Sequence, residues 1–254
     1  MSTFTRADYC TVACADTFAL SGEVMVSPFG SIPALGARLA KSTSSPDLVL
    51  TDGEAALVHG VNPLNARSSD LMREAYVPYK SIFSVVWSGR RHVMMMASQV
   101  DRFGNQNISA IGDHDHPKAQ LVGVRGAPGN SVNHATSYWI PVHNNRAFVD
   151  HVDVICGVGN DSAAQAGAGA TRFHDLRRVV TNLGVFDFSG PDGTMAVVSI
   201  HPGVSPDEVA SATGFVLAGL EGDVAVTRDP TEQETALMAE LDPKNFREKE
   251  VPSS

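Results

Sequence analysis

The sequence predicts an α/β protein with an open sheet that is covered by helices on both faces. Three observations support this class. Apolar residues recur at helical spacing near the amino terminus, strand-length runs of Val, Ile, Leu and Met follow, and helical and extended segments alternate. Sheets of this kind bind their ligands beyond the carboxyl ends of their strands.

The elements follow in order from the amino terminus. Residues 6–21 carry apolar side chains at helical spacing, and Gly22 ends this helix before an extended segment begins. A second helix is predicted from Ser31 to Lys41, and a buried strand follows at 47–50. Apolar runs bounded by Gly, Pro, Asn or Asp then predict strands at 92–101, 119–124, 146–159, 177–188 and 194–203.

The remainder of the chain predicts a loop and two further helices. Residues 163–170, AAQAGAGA, are typical of a flexible loop, and Ser205 is a suitable N-cap for a helix that Gly214 ends. An amphipathic helix is predicted within the charged C-terminal segment. We therefore expect one α/β domain over residues 1–226 and a C-terminal helix with a polar tail over 227–254.

The composition argues against several classes of function. The chain of 254 residues has a formal net charge of −9, which disfavours non-specific binding to nucleic acid. No apolar run reaches the roughly 18 residues of a membrane span, and the amino-terminal residues do not resemble an export signal. A cytoplasmic protein without membrane association is expected. The three cysteines predict buried thiols rather than disulfides or a metal site.

A turn rich in carboxylates follows the strand at 47–50. In Thr51-Asp52-Gly53-Glu54, two acids stand where an α/β sheet presents a site. Such acids can act as base, nucleophile or orienting acceptor when their neighbours tune their ionisation. Taken alone, the four residues favour a structural alternative, in which Asp-Gly forms a tight turn and Glu54 caps a following helix.

A glycine-rich loop follows the strand at 119–124. Gly126 and Gly129 would let a ligand approach the backbone, whose N–H groups can stabilise the oxyanion of a thioester or an enolate. Asn130, Asn133 and His134 add polar side chains to the loop. Ordinary turns contain similar clusters, and a lone histidine is more often structural than catalytic.

Three arginines are candidates for binding the phosphates of coenzyme A or a substrate carboxylate. Arg90 and Arg91 precede the strand at 92–101, and Arg125 precedes the glycine-rich loop. The polar residues beyond that strand predict a hairpin. Residues 113–116, Asp-His-Asp-His, favour a solvated loop over a metal site. The chain lacks the nucleotide-binding glycine fingerprint, the serine-nucleophile elbow and the Walker A loop.

Four features in this order resemble the beta subunit of the family I coenzyme A transferases. LVLTDGEA resembles a strand that ends in Ser-Glu-Asn-Gly, ASQVDRFGNQNIS resembles a Gln-Val-Asp hairpin, and GVRGAPGN resembles a glycine-rich oxyanion loop. VVTNLGVFDF, followed by VSIHPGVSPDEVASATGF, resembles the C-terminal pattern of the family. The resemblance covers most of the chain and implies the fold of that subunit.

Two departures from the family pattern disfavour ordinary ping-pong transfer. The Glu of Ser-Glu-Asn-Gly is the nucleophile of the transferases, which forms acyl-glutamyl and glutamyl-CoA intermediates, whereas the matching residue here is Asp52. Aspartate is one methylene shorter, and a displacement of about 1 Å can cost on the order of 100-fold in rate. Pro128 also replaces a glycine of the oxyanion loop and removes one N–H group.

A narrower resemblance is to the beta subunits of an actinobacterial branch of this family, which hydrolyses a carbon–carbon bond of a steroid ring. The matching segments are TDGEA, WSGRRHV, QVDRFGNQNISA, GVRGAPGNSVNHATSYW, VVTNLGVFDF and DPKNFREKE. The resemblance implies an alpha subunit as partner, in a heterotetramer. It also implies a cyclohexenone carboxyl-CoA thioester with a carboxyethyl arm as the substrate, opened by hydration and retro-Claisen-like cleavage in cholesterol degradation.

The resemblance implies roles for the candidate residues as well. The main general base would be a glutamate of the alpha subunit, with Asp52 and Glu54 of this chain in supporting catalytic roles. Contacts with the substrate and its oxyanion would come from Arg90, Arg91, Arg125, Gly126, Gly129, Asn130, Asn133 and His134. No metal or separate cofactor is expected, because coenzyme A is part of the substrate.

Two alternatives remain open from the sequence. One is a working family I coenzyme A transferase that acts on an acyl-CoA and a carboxylic acid. The other is a non-catalytic subunit that only stabilises an alpha chain.

Overall fold

The computed structural model describes residues 4–19 and 21–252 of the chain. The chain divides into two compact units, which we term the first unit, Met1–Met94 with Arg228–Ser254, and the second unit, Met95–Thr227. Each unit combines helices with strands, as the predicted α/β class requires.

The helices are α1 (Arg6–Phe18), α2 (Ser31–Ser42), α3 (Tyr79–Ser88), α4 (Ala127–Asn133), α5 (Asn160–Ala166), α6 (Ala168–Thr171), α7 (Pro206–Ala212) and α8 (Glu232–Leu241). The strands are β1 (Met25–Pro28), β2 (Leu50–Thr51), β3 (Ala56–Val58), β4 (Arg73–Tyr76), β5 (Arg91–Met96), β6 (Gln99–Val100), β7 (Gln106–Asn107), β8 (Ala110–Ile111), β9 (Ala119–Gln120), β10 (Ala135–Ile140), β11 (Asp175–Thr181), β12 (Gly184–Asp187) and β13 (Ala196–Ile200). Within the described part of the chain, no helix has the length and apolarity that a membrane crossing requires.

In the first unit, α1 and α2 pack at very short distance. Helix α1 begins at a capping box, in which the Thr5 hydroxyl accepts the Asp8 N–H and the Asp8 carboxylate accepts the Thr5 N–H. A Cβ atom added at Gly36 of α2 would lie 2.6 Å from Cβ of Cys14, so only glycine fits at this crossing. Cys10 and Cys14 are fully buried, which confirms the predicted buried thiols.

The strands of the first unit form two arrangements. β1 pairs in parallel with β5, with Met25 opposite Arg91. A separate antiparallel sheet has the order β2–β3–β4, and β4 lies at its edge with all four residues exposed. β2 ends at Thr51, so the carboxylate-rich turn lies between β2 and β3.

Buried ion pairs hold the C-terminal segment of the first unit. The Arg247 guanidinium donates from Nε to Asp8 over 2.9 Å and from Nη1 to Asp242 over 3.1 Å. The Asp242 side chain is completely buried, and those of Arg247 and Asp8 are each 12% exposed. The helix expected in this segment is α8, which begins at a second capping box formed by Thr231 and Glu234.

The second unit is built on β10 to β13. β10 and β11 pair in parallel, whereas β11 with β12 and β12 with β13 pair antiparallel. All six residues of β10 are buried, including Tyr138 and Trp139. Residues 177–188, predicted as one strand, belong to two, because the Thr181 hydroxyl accepts the N–H groups of Leu183 and Gly184 and fixes a tight turn.

Strands β6 and β7 confirm the predicted hairpin. The Asp101 carboxylate accepts the backbone N–H groups of Phe103 and Asn105, and so closes the turn from within. Gly104 adopts φ of +83°, and a Cβ atom there would lie 2.7 Å from the Phe188 ring. Both conditions require glycine at this position.

Three expectations about the second unit are wrong, in whole or in part. Residues 163–170 were expected to form a flexible loop, but all of them except Gly167 belong to α5 or α6, and Ala163 of α5 is fully buried. Residues 146–159 contain isolated bridges at Phe148 and Gly157 rather than a continuous strand. The strand expected at 119–124 is limited to its first two residues, which form β9.

Two further helices show where local sequence signals were sufficient for a prediction and where they were not. Helix α7 begins as predicted, because the Ser205 hydroxyl accepts the Glu208 N–H. Helix α3 was not predicted, since it is rich in aromatic and β-branched residues and has no capping side chain. Only Val86 of α3 is buried.

A buried histidine makes the stability of the second unit depend on pH. The His143 ring stacks on Phe148 with centroids 3.6 Å apart, and its nitrogens lie 3.2 Å from the Thr181 hydroxyl and 3.0 Å from the Thr213 hydroxyl. Burial lowers the pKa of His143 from 6.5 to about 3. The folded protein therefore holds this ring neutral.

We expect acid to destabilise the protein through this ring. The unfolded chain binds a proton near pH 6.5, but the folded chain does so only near pH 3, so the stabilisation is complete above pH 6.5 and is lost as the pH falls through this window. The loss is at most about 1.4 kcal/mol per pH unit. Urea unfolding of wild type and His143→Gln at neutral and mildly acidic pH measures it, and equal losses in both proteins would contradict it.

The ion pairs of Arg247 lead to a second expectation. Arg247→Met leaves the buried Asp242 carboxylate without its cation, so the free energy of unfolding should fall by about 3 kcal/mol. Arg67→Met is the matched control, because the pair of Arg67 with Asp70 is exposed and should contribute little. Urea unfolding compares the two variants, and similar stabilities would show that the Arg247 pairs are not structural.

Candidate active site

The first unit contains an open cavity of about 930 Å³. It is lined by the turn after β2, the amino-terminal end of α2 and parts of β1, β5 and α3. Three of the predicted site residues contribute to it, namely Asp52, Glu54 and Arg91. Apolar side chains complete its walls, including Ile82 and Phe246.

Asp52 is held by its own turn. Its Oδ1 accepts the backbone N–H groups of Glu54, Ala55 and Ala56 at 3.0, 2.9 and 3.0 Å, and its Oδ2 lies 3.5 Å from Nε of Arg73. Burial raises the pKa of this carboxyl group, but the three N–H donors and Arg73 together outweigh that effect and lower it. Asp52 is therefore an ionised acceptor that organises the turn.

Glu54 occupies a different environment in the same turn. It is exposed at the cavity, and β3 follows it instead of a helix, so the alternative of a helix-capping Glu54 is wrong. The physical reason is the turn itself, because the Asp52 N–H also donates to the Ala56 carbonyl and directs the chain into a hairpin. Glu54 consequently faces solvent beside the cavity.

The two neighbouring arginines differ because β5 begins at Arg91, whereas Arg90 lies in the connection before the strand. Arg91 is buried in β5, lines the cavity and donates from Nε to the Ser27 hydroxyl over 2.9 Å. Burial lowers the pKa of Arg91 to about 10. Arg90 is exposed after Gly89, which ends α3, and it is not among the residues that line the cavity.

The cavity also contains an arginine that sequence reasoning missed. Arg38 of α2 is half-buried, and it donates from Nε to the Asn62 carbonyl over 2.7 Å and from Nη1 to the Ala34 carbonyl over 2.9 Å. Burial lowers its pKa. A signal was present in the sequence, because Arg38 interrupts the apolar and small residues of α2 between Ile32 and Leu39.

The remaining candidates lie in the second unit, where the glycine-rich segment forms the short helix α4. Gly126 is its N-cap with φ of +84°, and Arg125 is exposed before it. Within the described part of the chain, the N–H groups of Gly126 and Gly129 have no hydrogen-bond acceptor. Pro128 lies in the first turn, where an N–H has no acceptor within the helix, so its missing donor does not weaken α4.

Three polar side chains of this segment hold α4 in place. His134 Nε2 lies 3.2 Å from Oδ1 of Asn130, and Asn130 Nδ2 donates to the Met95 sulfur. Asn133 Nδ2 donates to the Gly129 carbonyl. Asn130 and His134 are buried, so their side chains have internal roles, and a contact with substrate stays a prediction.

No group of three or more His, Cys, Asp or Glu side chains in residues 4–19 and 21–252 is arranged to hold a metal ion. The four residues at 113–116 are exposed, as expected of a solvated loop.

Comparison with known proteins identifies relatives along the whole chain. The family model described as coenzyme A transferase matches residues 13–212. The cholesterol ring-cleaving hydrolase IpdB subunit of Rhodococcus jostii is 51% identical over 248 residues, which are 97% of this chain and 96% of the relative. The IpdB subunit of Mycobacterium tuberculosis is 48% identical over 250 residues, with 98% and 99% covered.

A solved structure agrees with these relatives. A chain in the crystal structure of Rhodococcus jostii RHA1 IpdAB matches with a TM-score of 0.94 at 50% identity, covering 99% of this chain and 100% of that chain. The predicted fold is thereby confirmed. With a family model that spans more than half of its residues, the chain belongs to the coenzyme A transferase family.

Proposed function

We propose that this chain is the beta subunit of a hydrolase that opens the last ring of a steroid catabolite, carried as a cyclohexenone carboxyl-CoA thioester. The relatives named as cholesterol ring-cleaving hydrolase subunits support the reaction class, because their identity extends along nearly the full length of both chains. The match to IpdAB supports an alpha subunit as partner. We further propose a heterotetramer in the cytoplasm.

The state of Asp52 is the observation that carries this proposal. A transferase needs a carboxylate that can leave its hydrogen-bond donors and attack the thioester. At the matching position, the Asp52 carboxylate is held by three backbone N–H groups and Arg73, which stabilise the anion and weaken it as a nucleophile. This arrangement supports cleavage without a covalent intermediate on this chain.

The proposed reaction is hydration followed by retro-Claisen-like cleavage. Water adds to the ring ketone while a glutamate of the alpha subunit takes its proton. Collapse of the resulting alkoxide forms a carboxylic acid group and breaks the ring bond, and the electron pair passes to the carbon next to the thioester as an enolate. Protonation of that carbon completes the addition of one water molecule.

The groups of this chain would stabilise the charges that develop. The available N–H groups of Gly126 and Gly129 are suited to an enolate oxygen, and the exposed Arg125 beside them adds a cation. Glu54 would orient the site, and Arg91 would bind an anionic group of the substrate. No separate cofactor enters this scheme, since coenzyme A is part of the substrate.

The direct test is the assembled complex. The chain is co-expressed with the alpha subunit and incubated with the cyclohexenone carboxyl-CoA thioester, and mass spectrometry should detect a product heavier by one water. Asp52→Asn keeps an oxygen for the three N–H donors, so the variant should lose less than about 10-fold in turnover. If Asp52 were the nucleophile, the loss would be on the order of 1,000-fold or more.

Two controls separate the alternatives. Hydroxylamine or borohydride traps the thioester that a working transferase forms between its side-chain carboxyl group and coenzyme A, and no trapped adduct is expected here. Transfer of coenzyme A from acetyl-CoA to a carboxylic acid, with no hydrated product, would refute the proposal.

Variants of exposed side chains test whether this subunit takes part in catalysis. Arg125→Ala and Glu54→Ala should each lower turnover by about 10-fold or more in complexes that still assemble, because each removes a charge to which the proposed reaction assigns a role. Arg146→Ala and Glu23→Ala are the matched controls, since both residues are exposed and lie in the same units as the residues they control. Wild-type turnover in both test variants would favour a subunit that only stabilises its partner.

A further inference from the structure

Arg38 differs from the arginines that stabilise the first unit. Arg247 donates to the carboxylates of Asp8 and Asp242, and Arg228 donates to those of Asp16 and Glu234. Arg38 donates only to the backbone carbonyls of Asn62 and Ala34, and no carboxylate of the described residues lies within 4.0 Å of it.

This arrangement leaves a cation without an anion in a half-buried position. The two neutral carbonyls accept hydrogen bonds from the guanidinium but do not balance its charge. Moving a charge out of water without a counter-charge is costly in free energy. The guanidinium has five N–H donors. Nη2 makes no hydrogen bond within the described part of the chain, and the residue lines the cavity.

The surroundings indicate which kind of anion fits. Ala34, Leu64, Ile82 and Phe246 give the same cavity apolar walls and Arg91 adds a second cation, so the lining suits a hydrocarbon that carries an anionic group. A guanidinium fork binds a carboxylate through two parallel hydrogen bonds. The acids of the cavity do not oppose this, because Asp52 is balanced by its turn and by Arg73, and Glu54 is exposed to solvent.

We infer that Arg38 binds a carboxylate on the acyl group of the substrate and makes the enzyme selective for acyl-CoA esters that carry a second acid. The inference rests on the proposed function, which brings an acyl-CoA ester to this cavity. An ester without the acid leaves Arg38 without an anion, so the chain discriminates against it at a point remote from the thioester.

The test measures binding to the assembled complex rather than turnover. Glutaryl-CoA and valeryl-CoA have acyl chains of equal carbon number, and only the first carries a terminal carboxylate. Isothermal titration calorimetry should show that wild type binds glutaryl-CoA about 10-fold to 100-fold more tightly, as expected of hydrogen bonds to a charged group. Arg38→Met should lose this preference and bind valeryl-CoA as wild type does.

Further variants keep the test decisive. Arg38→Gln retains a donor for the Asn62 carbonyl but has no charge, so it should also lose the preference even if the Met variant does not fold. Arg67→Met, which removes an exposed cation of the same unit, should retain it. Retained preference in the Arg38 variants, or no preference in wild type, would overturn the inference.

The binding of free coenzyme A, which carries phosphates but no acyl carboxylate, distinguishes a carboxylate from a phosphate as the anion that Arg38 binds. The affinity of free coenzyme A should be the same for wild type and Arg38→Gln, and a loss equal to that of glutaryl-CoA would show that Arg38 binds phosphate instead. The proposed function fails separately, because a complex with an Arg38-dependent preference that cleaves no ring would contradict that function alone.

Discussion

Three backbone N–H groups directed at one oxygen of Asp52 determine the shape of the turn between β2 and β3. Those donors and Arg73 lower the pKa of the carboxyl group and hold it in one orientation. The same bonds place Glu54 outward and direct the chain back along β3. The shape of the cavity in the first unit therefore depends on the Asp52 carboxylate, which accepts hydrogen bonds from its own backbone. Because these bonds occupy the carboxylate, it organises the turn and is not available as a nucleophile.

Two arginines of the first unit have different kinds of hydrogen-bond partner. Where a cation is structural, as in Arg247, buried carboxylates surround it and fix the C-terminal segment against α1. Arg38 faces the cavity, and within the described part of the chain it donates to carbonyl oxygens only. This difference in partners is consistent with a structural role for Arg247 and with the ligand-binding role that we infer for Arg38.

The sequence predicted those parts of the fold that depend on neighbouring residues. Helix α2 begins at Ser31 as expected, and α7 begins at the Ser205 cap, because both signals lie within a few residues. Residues 146–159 were misjudged, since their backbone bonds to scattered partners such as Val100 and the Gln99 side chain. A pattern of neighbouring residues carries no information about hydrogen-bond partners that are distant in the sequence.

The candidate site was predictable to a similar extent. The strand end before Asp52 and the glycines before α4 were visible in the sequence, as was the lack of a glutamate at the transferase position. The bond from the Asn130 amide to the Met95 sulfur, 35 residues away, was not visible, and neither was the contact of Arg38 with a carbonyl 24 residues away. Both depend on packing between segments.

The close crossing of α1 and α2 has a practical consequence for studying motion in this protein. Cys10 and Cys14 are sealed in the first unit, and Cys156 is sealed in the second. A thiol reagent can reach each sulfur only when the surrounding structure opens, so the rate of alkylation reports the free energy of that opening. The thiols of the first unit and the thiol of the second lie on different proteolytic peptides. Mass spectrometry can therefore follow the alkylation, and so the opening, of each unit separately in the same sample.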